Sequence, residues 1–170
     1  MVFKDYTFSL YVFLAVAVIL FTGHIHGAGL CDNSPNKQVC YSIVYNRTVP
    51  RDATVAACHK LVYETKVARV VAQRQGKSLE IDICINEFAD ALISVKRALT
   101  GLEARDYRTV KAYINATQVN YQNCDSVYQN YGKINPIAKT TKHLKDIASV
   151  GAYLATLVKW KRACELYVSE

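Results

Sequence analysis

A chain of 170 residues with 51% hydrophobic residues, seven glycines and three prolines is one domain's worth, long enough to bury a sizeable core. That composition excludes disordered and collagen-like chains and favours helices over a turn-rich sandwich. The net charge of +7 points to acidic partners. Six cysteines, none in a Cys-x-x-Cys unit, read as disulfides of an oxidising compartment rather than as metal ligands.

In chain order, the first stretch is a leader. Lys4 precedes an apolar run from Leu10 to Phe21 and a small-residue patch at Gly27-Ala28-Gly29, the layout of a secretory signal peptide over residues 1–28. The apolar run is shorter than the about 20 residues a membrane span needs, so no membrane attachment is expected once it is cleaved. Lys4 and Asp5 leave together, and the net charge of the remaining domain, residues 29–170, is unchanged. Residues 29–50 form a loop-rich arm in which Cys31 and Cys40 flank Asn33-Ser34-Pro35-Asn36, a turn signal. A bridge across so short a loop would clip a helical hairpin too small to stand alone. The arm also carries the glycosylation sequon Asn46-Arg47-Thr48.

Residues 51–170 read as four helices. The first runs from an N-cap at Asp52 to about Gln75, with Val55, Cys58, Leu61, Val62, Thr65, Ala68 and Ala72 on one face and Gly76 as its stop. Arg69 falls on that face, while Val67, Val70 and Val71 fall off it and are expected against the arm. Ser78 caps the second helix, Leu79 to about Glu103, whose stripe includes Ile81, Cys84, Phe88, Ala91, Val95 and Ala98. After a turn at Arg105 the third helix runs from Asp106 to about Asn130 with Val110, Ile114, Thr117, Tyr121, Cys124 and Tyr128 inward. Cys84 and Cys124 each lie about 30 Å from that turn at a rise of about 1.5 Å per residue, so they are level and can be bridged. Gly132 ends the third helix, and Asn135-Pro136 opens a fourth that continues to about Leu166 through Ile137, Thr141, Leu144, Ile147, Ala148, Gly151, Leu154 and Val158. Short connections make the four antiparallel neighbours: an all-α, up-down-up-down four-helix bundle with a clipped N-terminal arm.

No catalytic constellation is visible. The chain lacks Gly-x-Ser-x-Gly, His-Glu-x-x-His and a phosphate loop, so neither enzyme nor cofactor is expected. His59 and His143 sit among charged residues on helix surfaces, and Gly76-Lys77-Ser78 is a helix-to-helix turn. Glu87 and Asp90 fall on the outer face of the second helix, where acidic residues solvate it. Ile83 and Ile93, with Val119 on the third helix, are outward apolar residues that suggest an interaction stripe. Asn115-Ala116-Thr117 is a second sequon, with Asn115 on the outside of the third helix.

The pattern Cys84, Phe88-Ala89-Asp90-Ala91-Leu92, Val95, Ala98-Leu99, Asp106-Tyr107, Cys124, with Cys31 and Cys40 upstream, resembles the plant pectin methylesterase and invertase inhibitors over the whole mature chain. That resemblance implies that Cys31 pairs with Cys40 and that the protein is secreted to the cell wall or apoplast. It implies a proteinaceous inhibitor that binds its enzyme 1:1 and blocks the active-site cleft. The target-binding surface it implies lies on the second and third bundle helices, here Asn86, Glu87, Asp90, Ser94, Arg97, Arg108, Lys111 and Asn115. Invertase inhibitors carry Pro-Lys-Phe before the third family cysteine, where this chain has Gly76-Lys77-Ser78, so the implied target is pectin methylesterase, with acid invertase as the alternative. Weak binding to acidic polysaccharide, or a signalling bundle without inhibition, are readings of another class; nucleic acid is not an expected partner. The cysteines left over are Cys58 and Cys164, and antiparallel packing of the first and fourth helices predicts a third bridge between them.

Overall fold

A computed structural model describes residues 28–168, with side chains for residues 29–158. The segment expected to be a signal peptide, residues 1–28, lies outside the described residues except for Ala28. The described residues form six helices and no strand: α1 Ala28–Cys31, α2 Lys37–Val44, α3 Pro50–Gln73, α4 Leu79–Glu103, α5 Tyr107–Asn130 and α6 Ala138–Val168. The long helices α3 to α6 pack in a ring, each against the next and α6 back onto α3, as expected of an antiparallel bundle.

The arm is α1 and α2. Asn36 caps α2, its side chain accepting from the Val39 amide at 3.1 Å, and Cys31 is bridged to Cys40 with Cα atoms 5.7 Å apart. Buried Ile43 and Val44 seat α2, which contacts both α3 and α6.

α3 begins two residues before the expected cap. Val49 is its N-cap, without a side-chain bond, and Pro50 takes the first helical position. Proline is pre-organised there, and the N–H it lacks would have no helical partner anyway. Asp52 instead lies in the first turn, where its charge complements the helix dipole. Val67 and Val70 are exposed, so the arm does not cover them, and Arg69 is exposed despite falling on the predicted stripe.

The α4–α5 hairpin follows the sequence closely. Ser78 Oγ accepts from the Ile81 amide at 3.2 Å, and Asp106 accepts from the Thr109 amide at 3.1 Å. At the closed end Arg105 has φ 58°. A Cβ on Gly101 would stand 3.1 Å from Val110 Cγ2 and 3.3 Å from the Asp106 carbonyl, so glycine lets the two helices close together there. At the other end Cys84 is bridged to Cys124, with Cα atoms 4.6 Å apart. Gly132, φ 61°, ends α5, and the Lys133 amide donates back to the Tyr128 carbonyl at 2.9 Å. α6 starts at Ala138 rather than Pro136, because Asn135 Oδ1 accepts from the Ile137 amide at 2.9 Å and holds a turn first.

In the core, Phe88 and Tyr121 meet as tilted rings 6.2 Å apart. Thr65 Oγ1 donates to the Leu61 carbonyl at 2.6 Å, so the Tyr121 hydroxyl donates to Thr65 Oγ1 at 2.5 Å. Among the described residues no buried side-chain polar atom lacks a partner.

The third bridge is not formed: Cys58 is a free, fully buried thiol, and the Cys164 side chain lies outside the described residues. Helix register explains this. A Cβ on Gly151 would be 3.4 Å from Ala57 Cβ, so α3 is level with the middle of α6 at Cys58. Cys164 is 13 positions further along α6, about 20 Å at about 1.5 Å per residue, whereas a disulfide needs Cα atoms within about 7 Å. α6 has 31 residues against 24 in α3.

Candidate functional site

The α4–α5 hairpin positions the residues expected to meet a partner. Both helices turn their apolar stripes inward, and the disulfide at one end with the tight turn at the other fixes how far one can slide along the other. Glu87 follows Cys84 by three residues and Asn123 precedes Cys124 by one, so the bridge brings them opposite each other. Asn123 Nδ2 donates to both Glu87 carboxylate oxygens, at 3.2 and 3.3 Å. Glu87 is therefore half-buried in the seam rather than merely solvating an outer face. Burial raises its carboxyl above the ordinary range, the Asn123 bond opposes that rise, and the neighbouring Asp90 charge adds to it. Further along the seam, the Arg97 guanidinium lies over the Tyr113 ring, 5.5 Å from its centroid.

Asn86 and Asp90 are exposed and Ser94 is half-buried on the same side of α4. Ile93 and Val119 stand out as apolar, 49% and 50% exposed. Ile83 is half-buried. Arg108, Lys111 and Asn115 go elsewhere. They are exposed on the other flank of α5, where with Tyr107 and Ala112, and Ala155 and Thr156 of α6, they line a groove of about 460 Å³. The eight predicted residues thus form two surfaces that straddle α5. Asn123 was not among them. The signal that could have found it is its place beside Cys124, once the bridge to Cys84 sets the register.

Asn46 is exposed in the connection between α2 and α3, and Asn115 is exposed on α5, so both sequons are sterically open. His59 and His143 are exposed, and Gly76-Lys77-Ser78 is a turn with Gly76 at φ 88°. Among the described residues no group of three or more histidine, cysteine or acidic side chains could hold a metal ion. No described helix is long and apolar enough to cross a membrane.

No family model matches this chain, and no curated protein matches it. Its likeness to known proteins is three-dimensional. The crystal structure of mutant form A of a pectin methylesterase inhibitor from Arabidopsis matches with a TM-score of 0.66 at 12% identity, over 77% of this chain and 95% of that one. A second, of a pectin methylesterase inhibitor from Arabidopsis thaliana, matches with a TM-score of 0.59 at 12% identity, over 78% of this chain and 95% of that one. The chain has the helical fold of those inhibitors.

Proposed function

We propose that this chain is a secreted inhibitor of pectin methylesterase, without catalytic chemistry of its own, that binds its enzyme 1:1 through the α4–α5 face and occludes the active-site cleft. The observation that carries this reading is the match of one disulfide-clipped bundle to solved pectin methylesterase inhibitors over 95% of their length. The face itself suits the role. Glu87 and Arg97 are held by Asn123 and Tyr113 before any partner arrives, which lowers the cost of ordering them on binding. Asn86, Asp90 and Ser94 supply polar contacts around the apolar pair Ile93 and Val119, the mixture of apolar centre and polar rim that protein interfaces use. Residues 1–28 direct the chain to the cell wall and are removed, and Asn46, exposed in the connection between α2 and α3, is its glycosylation site.

The deciding experiment titrates purified residues 29–170 against a pectin methylesterase and an acid invertase. Methylesterase activity is expected to fall to a 1:1 endpoint while invertase keeps its rate, and Asp90→Lys with Arg97→Glu should weaken inhibition by about tenfold or more. Loss of invertase activity alone would transfer the reading to that enzyme. Full activity of both would leave a bundle that binds without inhibiting.

A further inference from the structure

We propose that the groove between α5 and α6 is a binding site for an acidic saccharide, a chain of uronate units, separate from the α4–α5 face. Its volume of about 460 Å³ lies within the about 300–1,000 Å³ of small-molecule clefts. Arg108, Lys111 and Asn115 stand along one edge. At about 1.5 Å rise per residue, Lys111 is about 4.5 Å beyond Arg108 and Asn115 about 6 Å further, a row of two cations and an amide along the groove.

The Asp106 carboxylate at the start of α5 feels the Arg108 charge, but no carboxylate closes an ion pair on either cation of this groove among the described residues, whereas Lys60, Lys133, Lys142 and Lys145 each meet one. Among the described residues no acidic side chain lines the groove. A smaller groove of about 260 Å³ between α3 and α6 is different, because Glu64 lines it together with Lys139.

The chemistry selects a uronate. A carboxylate fits the planar fork of Arg108 in a two-bond pairing that a neutral sugar cannot make. The Asn115 amide can both donate to and accept from hydroxyls. Thr156 donates its own proton to the Tyr153 carbonyl at 2.6 Å, leaving its oxygen to accept from a sugar hydroxyl. Ala112 and Ala155 keep the floor low enough for a sugar ring to lie between the helices. Among the described residues the groove offers two cations and no run of aromatic platforms, a poor track for single-stranded nucleic acid, and the net charge of +7 draws polyanions toward the surface in general.

The test is calorimetric titration with a defined oligogalacturonate, using residues 29–170 produced without N-glycosylation, because Asn115 is itself a sequon residue. R108Q/K111Q is expected to weaken binding by about tenfold or more, the size of losing charge-assisted hydrogen bonds. K66Q/R69Q removes the same charge from α3 and should change affinity by no more than about twofold. A112W keeps every charge but fills the groove, and should abolish binding. Equal weakening by the two charge variants, unchanged binding by A112W, or equal affinity for the methyl-esterified oligomer or a single-stranded oligonucleotide would each overturn the site. No enzyme enters this titration, so its outcome is independent of whether the protein inhibits one.

Discussion

Thr65 and Tyr121 show how much a single proton direction decides. Because Thr65 gives its proton to Leu61, it can only accept from Tyr121. Tyr121→Phe therefore leaves Thr65 satisfied and is expected to cost about 1 kcal/mol, whereas Thr65→Val strands a buried phenol and should cost about 2 kcal/mol. Urea denaturation of the two variants checks the order. Glu80 gives a second residue-scale expectation. The Lys133 ammonium bonded to it holds its carboxyl below the ordinary range, helped by its own backbone amide and by Ser78. A depressed carboxyl stabilises the fold fully above its unfolded pKa and loses that stabilisation as pH falls through the folded value. Glu80→Gln should thus lower the melting temperature at neutral pH, and the gap to the parent should close in strong acid. Neither pair was legible in the sequence. Helical periodicity says which side of a helix a residue occupies, but Thr65 meeting Tyr121, or Asn123 meeting Glu87, depends on how two helices slide and rotate against each other.

At the scale of elements, the helices with side-chain caps were the ones the sequence located well. Ser78 and Asp106 bond the first-turn amides of α4 and α5, so these residues alone mark both starts. α3 starts earlier than capping chemistry implies, because Asp52 is the better cap while Pro50 starts the helix through its fixed backbone angle. α6 starts later than the Asn135-Pro136 signal implies, because the Asn135 side chain closes a turn rather than the helix itself. The join from α5 to α6 is also tied by Asp125, which accepts from Asn135 at 2.8 Å, from Thr141 at 2.5 Å and from Lys145. The two bridges act on different elements. Cys84–Cys124 spans 40 positions and Cys31–Cys40 spans 9, so on chain-entropy grounds the first contributes about 4 kcal/mol and the second about 2.5 kcal/mol. C84A/C124A is expected to shift the global denaturation midpoint more. C31A/C40A should chiefly raise hydrogen exchange in α1 and α2, since that arm rests on few buried side chains.

For the whole molecule, charge governs encounter. The α4 side of the proposed enzyme face carries Glu87 and Asp90 on a chain whose net charge is +7, so complementary charges on an enzyme would steer approach over about 8 Å at physiological salt. Inhibition is expected to weaken as salt rises. It should also weaken as pH falls through the raised carboxyl of Glu87, with Glu87→Gln removing that part of the pH profile. Inhibition constants measured across salt at acidic and neutral pH test both, and a response flat in salt would remove electrostatics from the account. The bundle architecture and its α4–α5 clip were readable from spacing and caps. The division of the surface into an α4–α5 face and an α5–α6 groove was not, because it needs the rotation of α5 between its two neighbours.

The free thiol of Cys58 has a consequence for oxidative maturation. Each observed bridge joins cysteines that are neighbours in sequence order among the described residues, and Cys58 lies between the two pairs. During synthesis it emerges after Cys31 and Cys40 and before Cys84, and nothing shields it until α3 docks. In the finished fold burial pushes its pKa up to about 12, so it no longer forms the thiolate needed for exchange. Packing of α3 is thus expected to retire a competitor thiol once the right neighbours are in place. Oxidative refolding of Cys58→Ala should therefore give fewer scrambled isomers on non-reducing chromatography than the parent chain, and an unchanged isomer pattern would show that Cys58 never competes.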